Sequence, residues 1–476
     1  MSRSERSLWM MAVIALLLGF IALGPSESGV NTASPNDDVV SIDDHQVAGP
    51  AAENPSGSGT ESVQGDVHDP GAPGAGREAL KCSAGRNGGA TDRGVTEREI
   101  RLATTMAQSG PAASLLSDSI KGIRAVINKV NQAGGICGRE LKLRSVDDGF
   151  DAQLGQQFIR NFIEEDYFAL PVVPSAEGLG AAISSGYISR AGIPVVGSDG
   201  MRVEQYQDPW VWPVATATVS TMRIIADYAY HVRAARTFAI VWDSKYQFGR
   251  EGADAFKQQV GNLRGGRIVQ DTRLDPARNS FATEVQNFNR TCGNAGCDMV
   301  ALLLLPDTAA TWMKSQPAFG GKYTAGAQTL FNKQFAQDCV ALIGVECNGV
   351  AAWTGYNPPV GTFRGLPGVD EYVNDVRAID PGVDVDNQFL QGAYLGMSVF
   401  VEALRRVGPG LTRQRLRAEM DAMDFKSDLA STLRWRPGNH AANIRARGFS
   451  IVYQSGSFRG WRDDDTGFRA DPRGGP

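Results

Sequence analysis

Strand-like and helix-like segments alternate along most of this chain, and the alternation constrains the fold more than any other feature. From Glu99 onward, apolar runs of strand length are followed by amphipathic patterns of helix length. Residues 100–106 predict a strand, and residues 116–133 predict a helix with isoleucines on one face and Gly134-Gly135 at its end. This order is typical of α/β proteins with parallel sheets.

The alternation starts again near residues 214–220, which predicts a second sheet. Strand-like runs at 237–242, 267–272 and 299–305 are separated by helical patterns, as in the first half. Helical patterns left over near the end, such as 387–407, suggest that the chain crosses back. Parallel sheets present the carboxyl ends of their strands in a crevice, so two facing sheets predict a cleft between two lobes.

The first 24 residues predict export. Arg3 and Arg6 precede an apolar run at 8–23, which Gly24-Pro25 ends. Residues 1–24 are therefore a signal peptide or a signal anchor, and the run is just shorter than the roughly 17–25 residues of a membrane-spanning helix. Both outcomes remain open. No cysteine lies near the end of the run, so no lipid attachment is offered there.

Residues 25–92 predict a disordered acidic tether. The segment is rich in Gly, Pro, Ser, Ala and Asp, and up to Leu80 its only basic side chain is Arg77. Such a composition buries too little apolar surface to offset the entropy of ordering. The whole chain has a net charge of −5 at pH 7. Without a basic excess, a nucleic-acid partner is not expected.

The cysteines predict disulfide bonds. An exported chain with an even number of cysteines normally oxidises them in pairs. Cys292 with Cys297 and Cys339 with Cys347 are close enough in sequence to form local bridges, which leaves Cys82 with Cys137. A four-thiolate zinc site is the rival interpretation, but neither spacing is of the tight Cys-x2-Cys type and no histidine is near. No metal and no cofactor are predicted.

Four segments, in this order and spacing, resemble the class I periplasmic binding proteins, the branched-chain amino acid receptors of ABC importers. They are REIRLATTMAQSGPAA, IKGIRAVINKVNQAGGICGRELKLRSVDDGFD, AGIPVVGSDG and FAIVWDSKYQFGREGADAFKQQV. The resemblance implies an α/β fold of two Rossmann-like, doubly wound lobes joined by a three-crossover hinge. The crossovers would lie near 214–220, 352–360 and 440–448. Lobe 1 would hold residues 93–216 plus 357–443, and lobe 2 residues 217–356 plus 444–476.

The same resemblance implies a set of ligand-binding residues at the cleft. Glu177 and Asn332-Lys333-Gln334 depart from the family: the first adds a negative charge where relatives hold a carboxylate, and the second stands where an acidic residue should clamp an ammonium. These departures argue against an α-amino acid. Solvent-facing loop carboxylates and core aromatics remain the alternative interpretation for several members. The predicted set is Ser109, Gly110, Ser175, Glu177, Gly178, Ser198, Asp199, Tyr246, Phe248, Gln334 and Tyr394.

Motifs for catalysis are missing from the sequence, so we do not expect an enzyme. No Gly-x-Ser-x-Gly motif occurs, and two of the histidines, His45 and His68, lie in the tether. The resemblance implies an extracytoplasmic, monomeric solute-binding protein that captures a small molecule and delivers it to ABC permease subunits. The alternative is a membrane-tethered sensor or adaptor with the same fold. Only the N-terminal segment would contact the membrane.

Overall fold

Two groups of parallel strands, each flanked by helices, organise the protein. The computed structural model describes residues 82, 85–293, 296–316, 318–464 and 466–476. The predicted signal segment, residues 1–24, lies outside this range. So do residues 25–81, 83 and 84 of the predicted tether. Among the helices of the described residues, none combines the length and apolar character that a bilayer span needs.

The first group of strands comes from the first half of the chain. β1 (Glu99–Met106) and β2 (Glu140–Asp147) pair in parallel, and so do β3 (Val195–Val196) and β4 (Val211–Trp212). An apolar run of strand length at 168–173 lies between these pairs and hydrogen-bonds to both through its backbone, but it is not a regular strand. The reason is Val172, whose φ of 53° lies in the left-handed region.

The second group forms one sheet with the order β13-β12-β9-β8-β7-β5-β6. The strands from β5 to β9 are parallel, whereas β12 runs antiparallel to both β9 and β13. A short β14 also pairs with β12. The sheet draws on two separate parts of the chain: β5 (Thr237–Asp243), β6 (Arg267–Leu274), β7 (Cys297–Leu303), β8 (Gly321–Gly326) and β9 (Ala351–Thr354), then β12 (Arg445–Gln454), β13 (Ser457–Asp463) and β14 (Arg469–Ala470). Between them, β10 (Asp424–Ser427) and β11 (Ala430–Arg434) form a separate hairpin.

Helices fill the connections between the strands. Asp151 is the N-cap of one of them, and its carboxylate accepts hydrogen bonds from the backbone of Gln153 and Leu154. The helices are α1 (Ala113–Leu116), α2 (Ser119–Gln132), α3 (Ala152–Glu164), α4 (Ala176–Ser184), α5 (Tyr187–Ala191), α6 (Glu204–Gln207), α7 (Thr218–His231), α8 (Gln247–Asn262), α9 (Ala282–Cys292), α10 (Pro306–Ser315), α11 (Lys333–Ile343), α12 (Pro367–Ile379), α13 (Gln388–Val407) and α14 (Arg413–Met420), with 3₁₀ turns at Gln328–Leu330, Gly344–Cys347 and Gly361–Phe363.

The chain passes between the two groups of strands three times, and the three passages lie side by side. Thr216 bridges to Asn443, and its hydroxyl donates to the carbonyl of Arg445 over 2.5 Å. The side-chain amide of Asn443 donates to the carbonyl of Gly355 over 3.0 Å. Each hydrogen bond joins one passage to another. The exact residues at which one lobe gives way to the other stay a prediction.

All three predicted disulfide pairs form. Their Cα atoms lie 4.9 Å apart in Cys82–Cys137 and in Cys292–Cys297, and 5.7 Å apart in Cys339–Cys347. Arg139, close to the first bridge, is fully buried and donates to the carbonyls of Asn87, Gly89 and Thr96. The bridge and this arginine together hold the last residues of the predicted tether against the first group of strands, so residues 85–92 are part of the folded protein.

Candidate functional site

A small cavity lies where two of the three passages meet the end of β3. Its volume is about 10 Å³, room for about one water molecule. The first passage contributes Ala215 and the second contributes Tyr356, while α13 contributes its first turns. The lining residues are Val172, Pro174, Gly197, Ser198, Asp199, Ala215, Tyr356, Gln388, Phe389, Gly392 and Ala393.

Two of the predicted site residues, Ser198 and Asp199, line this cavity with unsatisfied polar atoms. One carboxylate oxygen of Asp199 accepts hydrogen bonds from the backbone of Met201, over 3.1 Å, and from the amide of Gln205, over 2.8 Å. The other oxygen, and the hydroxyl of Ser198, are buried and have no hydrogen-bond partner among the described residues. Burial raises the pKa of Asp199 to about 7.

Ser175 is bound to a neighbouring carboxylate. Its hydroxyl donates to Asp148 over 2.8 Å, and the hydroxyl of Thr105 donates to the same carboxylate over 2.6 Å. Asp148 is fully buried, and its burial raises the pKa against the opposing effect of these hydrogen bonds. The resemblance implies that Ser175 is one of the ligand-binding residues; in the structure its hydroxyl donates to a protein carboxylate.

Glu177 joins the predicted lobes. Its carboxylate accepts a hydrogen bond from the backbone N–H of Gln247, over 3.0 Å, and lies 3.5 Å from the guanidinium of Arg202. Burial raises its pKa, although Arg202 opposes the shift. In a second contact the predicted lobes exchange the roles of donor and acceptor. The backbone N–H of Val203 donates to the carboxylate of Glu251 in α8 over 3.0 Å. Glu177 is thus a buried cross-lobe acceptor and not a solvent-facing loop carboxylate.

Aromatic side chains fill the space where the sequence predicts a cleft. Tyr246 and Phe248 stack with their ring centroids 5.7 Å apart, and Phe150 from the first group of strands meets Tyr246 edge-on at 5.1 Å. All three rings are buried. Phe150 has a φ of 62°, in the left-handed region, which places this ring at the end of the β2 loop. The two halves therefore touch through a closed aromatic contact.

Ser109 and Gly110 lie together in an exposed loop after β1. The backbone N–H of Ser109 donates to Asp147 over 3.2 Å. Gly110 has a φ of 77°, and a Cβ there would lie 2.7 Å from the carbonyl of Gly149. Close loop-to-loop packing accounts for this glycine. Neither residue lines the cavity.

Gln334 and Tyr394 also lie away from the cavity. Gln334 is exposed on α11, where its amide donates to Asp338 over 2.9 Å. Tyr394 points to the other side of α13, where its hydroxyl donates to Asp375 over 2.6 Å and its ring meets Tyr372. The preceding residues of the same helix, Gly392 and Ala393, reach the cavity instead.

Gly178 packs against another helix. A Cβ on Gly178 would lie 2.8 Å from the Cα of Gly155 in α3, so α3 and α4 cross in backbone contact. We expect Gly178→Ala to destabilise the protein by about 1–3 kcal/mol through overpacking, measured by urea unfolding without any ligand. Gly261→Ala in α8, where nothing lies within 4 Å, is the control and should be neutral or stabilising. Unchanged stability in Gly178→Ala would contradict the packing role.

Several cavity residues had no signal in the sequence analysis. Examples are Tyr356, Gln388 and Phe389. They lie in or near the chain passages between the lobes, and the hydrophobic pattern of the sequence does not locate where those passages begin and end. Phe150 lies inside one of the segments that carry the resemblance, but it is not among the predicted site residues. Among the described residues there is no group of three or more His, Cys, Asp or Glu side chains suited to a metal ion.

Comparisons with known proteins agree with this architecture. Among curated proteins, none matches the chain. A fatty acid ABC transporter substrate-binding protein from Thermomonospora curvata has 16% identity and a TM-score of 0.67, over 80% of this chain and 95% of its own. LivJ from Streptococcus pneumoniae, solved with isoleucine, has 14% identity and a TM-score of 0.63, over 77% of this chain and 99% of its own.

A solute binding protein of an ABC transporter from R. palustris, solved with benzoate, has 16% identity and a TM-score of 0.63, over 79% of this chain and 98% of its own. At such identities these likenesses show the fold alone. The family is shown by sequence, because the model described as "Periplasmic binding protein" matches residues 99–454. The resemblance to the class I periplasmic binding proteins and the predicted two-lobed α/β fold are thus confirmed. The chain belongs to the periplasmic binding protein family.

Proposed function

We propose that this protein captures a small molecule between its two lobes, outside the cytoplasm, and delivers it to the permease subunits of an ABC importer. One observation carries the proposal: a cavity with unsatisfied, buried polar atoms lies against two of the chain passages that join the lobes. Native proteins rarely leave such atoms unpaired, so an ordered water or a bound group is their natural partner. An occupant there would touch the segments about which the lobes move.

Ligand entry requires the lobes to separate. The contacts across the boundary include the hydrogen bonds of Glu177 and Glu251 to backbone N–H groups and the edge-on contact of Phe150 with Tyr246. Water can replace the hydrogen bonds at modest net cost, about 1 kcal/mol each. A ligand then favours closure to the extent that it binds the closed arrangement better than the open one. The protein acts as a monomer in this scheme and needs no cofactor.

The test is a ligand screen on the exported domain, purified from its host. Native mass spectrometry should reveal a co-purified small molecule, and thermal unfolding with a metabolite panel should show a rise in Tm with a micromolar or tighter Kd. Small-angle scattering should show compaction on binding. Tyr394→Phe, which changes a residue remote from the cavity, should bind like the wild type. A protein that binds no member of the panel and never changes shape would contradict the proposal.

A membrane-tethered sensor or adaptor is the second candidate. The sequence favours it at one point, because the apolar run at 8–23 is followed by a long acidic segment and by no cysteine for lipid attachment. Uptake into vesicles that carry the permease and ATPase subunits separates the two roles. A binding protein that drives ligand accumulation is a transport component, and ligand binding without uptake favours the sensor. Sustained turnover of a bound metabolite would contradict both.

A further inference from the structure

We infer that the far end of the second sheet docks on a membrane surface of anionic lipids, as a membrane contact separate from the predicted N-terminal segment. The inference goes beyond the proposed function and does not depend on it. The docking surface, the basic face, lies at the edge of the sheet where its parallel strands begin. Its members are the cationic side chains of Arg233, Arg236, Arg264, Arg267, Lys322 and Arg469.

The strand order sets several of these side chains in a row. β6, β5, β7 and β8 are parallel neighbours in that order, so their first residues lie side by side, about 4.8 Å apart from strand to strand. Arg267 begins β6, and its backbone N–H donates over 3.0 Å to the carbonyl of Arg236, which directly precedes β5. Lys322 lies at the start of β8. β5 leads away from this edge toward Tyr246 at the contact between the two halves, so a partner on the basic face leaves that contact free.

Most of the positive charge on the basic face is unpaired. Lys322 pairs with Asp298 over 2.8 Å, but within the described part of the chain none of the five arginines of the face forms an ion pair. Two further carboxyls lie nearby, those of Asp227 and Asp464. Six cationic side chains thus outnumber three carboxyls, although the whole chain has a net charge of −5. The arginines classed as exposed are Arg233, Arg236, Arg264 and Arg267.

Tyrosine rings hold two of the guanidinium groups in place. The guanidinium of Arg236 lies 4.0 Å from the ring centroid of Tyr230, and that of Arg233 lies 4.9 Å from the ring centroid of Tyr323. The hydroxyl of Tyr230 in turn donates to the backbone carbonyl of Arg264 over 2.7 Å. Such a ring contact uses the flat face of a guanidinium and leaves N–H donors at its edge for phosphate oxygens. The arginines are therefore partly ordered before a partner binds, which lowers the entropy cost of binding.

An exposed apolar side chain within the basic face favours a lipid surface over a dissolved polyanion. Val232 is 48% exposed and lies next to Arg233 in the short connection between α7 and β5. Large apolar side chains are exposed at only three other positions among the described residues. Proteins that lie on membranes combine cationic side chains, which attract anionic headgroups, with apolar ones that enter the layer below. A dissolved polyanion offers no such layer to Val232.

Co-sedimentation with lipid vesicles tests the inference. The full chain, purified from its host, is mixed with vesicles of phosphatidylcholine alone or with about one third of the anionic lipid phosphatidylglycerol. We expect binding to the anionic vesicles to be at least about ten-fold stronger, and to fall steeply as salt is raised from about 0.05 M to about 0.5 M. The triple variant Arg233→Gln, Arg264→Gln, Arg267→Gln should lose about ten-fold or more of this affinity. Val232→Ser should weaken binding by about three-fold, because it removes the apolar contact.

The matched control removes the same charge from exposed arginines elsewhere. It is the triple variant Arg86→Gln, Arg98→Gln, Arg405→Gln, whose arginines accompany the first group of strands. It should bind anionic vesicles within about three-fold of the wild type. Unfolding curves of all variants check the fold. If Arg233→Gln destabilises the protein, the double variant Arg264→Gln, Arg267→Gln gives the readout.

Each outcome bears on this inference and not on the proposed function, because lipid binding is measured without a solute. Equal binding to both kinds of vesicle, or no binding to the anionic ones at low salt, overturns the inference. An equal loss in the basic-face variant and in the control also overturns it, since overall charge would then be the cause. Displacement of the bound chain by a peptide of residues 25–80 would assign the face to the chain's own acidic segment and overturn the membrane contact as well.

Discussion

Replacing Asp471 by alanine should lower the free energy of unfolding by about 3–5 kcal/mol, because it leaves a buried guanidinium without its counter-charge. Asp471 lies near the C-terminus, and its two oxygens accept hydrogen bonds from Arg223 of α7 over 3.0 and 2.6 Å. The hydroxyl of Ser220 donates to the same carboxylate over 2.6 Å. Both charged side chains are almost fully buried. The paired, two-point geometry is the strong form of this interaction.

Urea unfolding followed by circular dichroism measures the effect. The matched control is Asp254→Ala, which removes an aspartate that is 74% exposed and pairs with Lys257 at 3.0 Å. An exposed pair of this kind contributes at most about 1 kcal/mol. The double variant Arg223→Met with Asp471→Leu should recover most of the stability, since neither charge is then buried alone. A loss below about 1 kcal/mol in Asp471→Ala would refute the assigned role.

Two buried aspartates, Asp199 and Asp243, should make a contribution to the free energy of unfolding that falls as the pH rises from about 4 to about 7. Burial raises the pKa values of Asp199 and Asp243 from 3.8 to about 7 in each case. In that window the folded protein keeps protons that the unfolded chain has released, so raising the pH favours unfolding. Each group accounts for about 4 kcal/mol by the time neutral pH is reached.

The variants Asp199→Asn and Asp243→Asn isolate this effect. Each should gain stability relative to the wild type as the pH rises from 4 to 7, by up to about 4 kcal/mol, and the gain should level off above pH 7. Carboxyls with lowered pKa values, such as Asp147 and Asp298, act in the opposite direction in all three proteins, so the difference from wild type is the quantity to follow. A difference that does not change between pH 4 and 7 would rule out the raised pKa values.

Local signals in the sequence were enough for much of the fold. The predicted helix at 116–133 appears as α2 with a short α1 before it. Two of the cysteine pairs could be predicted because their members are close in sequence, so that closing the loop between them costs little entropy. The apolar run at 168–173 does not form a regular strand, since the left-handed Val172 interrupts it, and no propensity argument places a valine in that conformation.

The candidate site was less accessible to such reasoning. Ser198 and Asp199 line the cavity because they follow a strand end, which an apolar run followed by polar residues can locate. Tyr394 and Gln334 lie elsewhere, because packing against Tyr372 and the exposure of α11 decide where those side chains point. The binding roles of the predicted residues stay a prediction.

By itself, the sequence determined the alternation of strands and helices and the family, because each depends on short-range pattern or on order along the chain. It favoured the pairing of the cysteines, which the structure then showed. Only the tertiary structure decided that Phe150 meets Tyr246 across the cleft, that Asp148 takes the hydroxyl of Ser175, and that Asp199 keeps one oxygen free. Contacts of this kind join residues far apart in sequence. Their geometry depends on how the two lobes close, which no local pattern records.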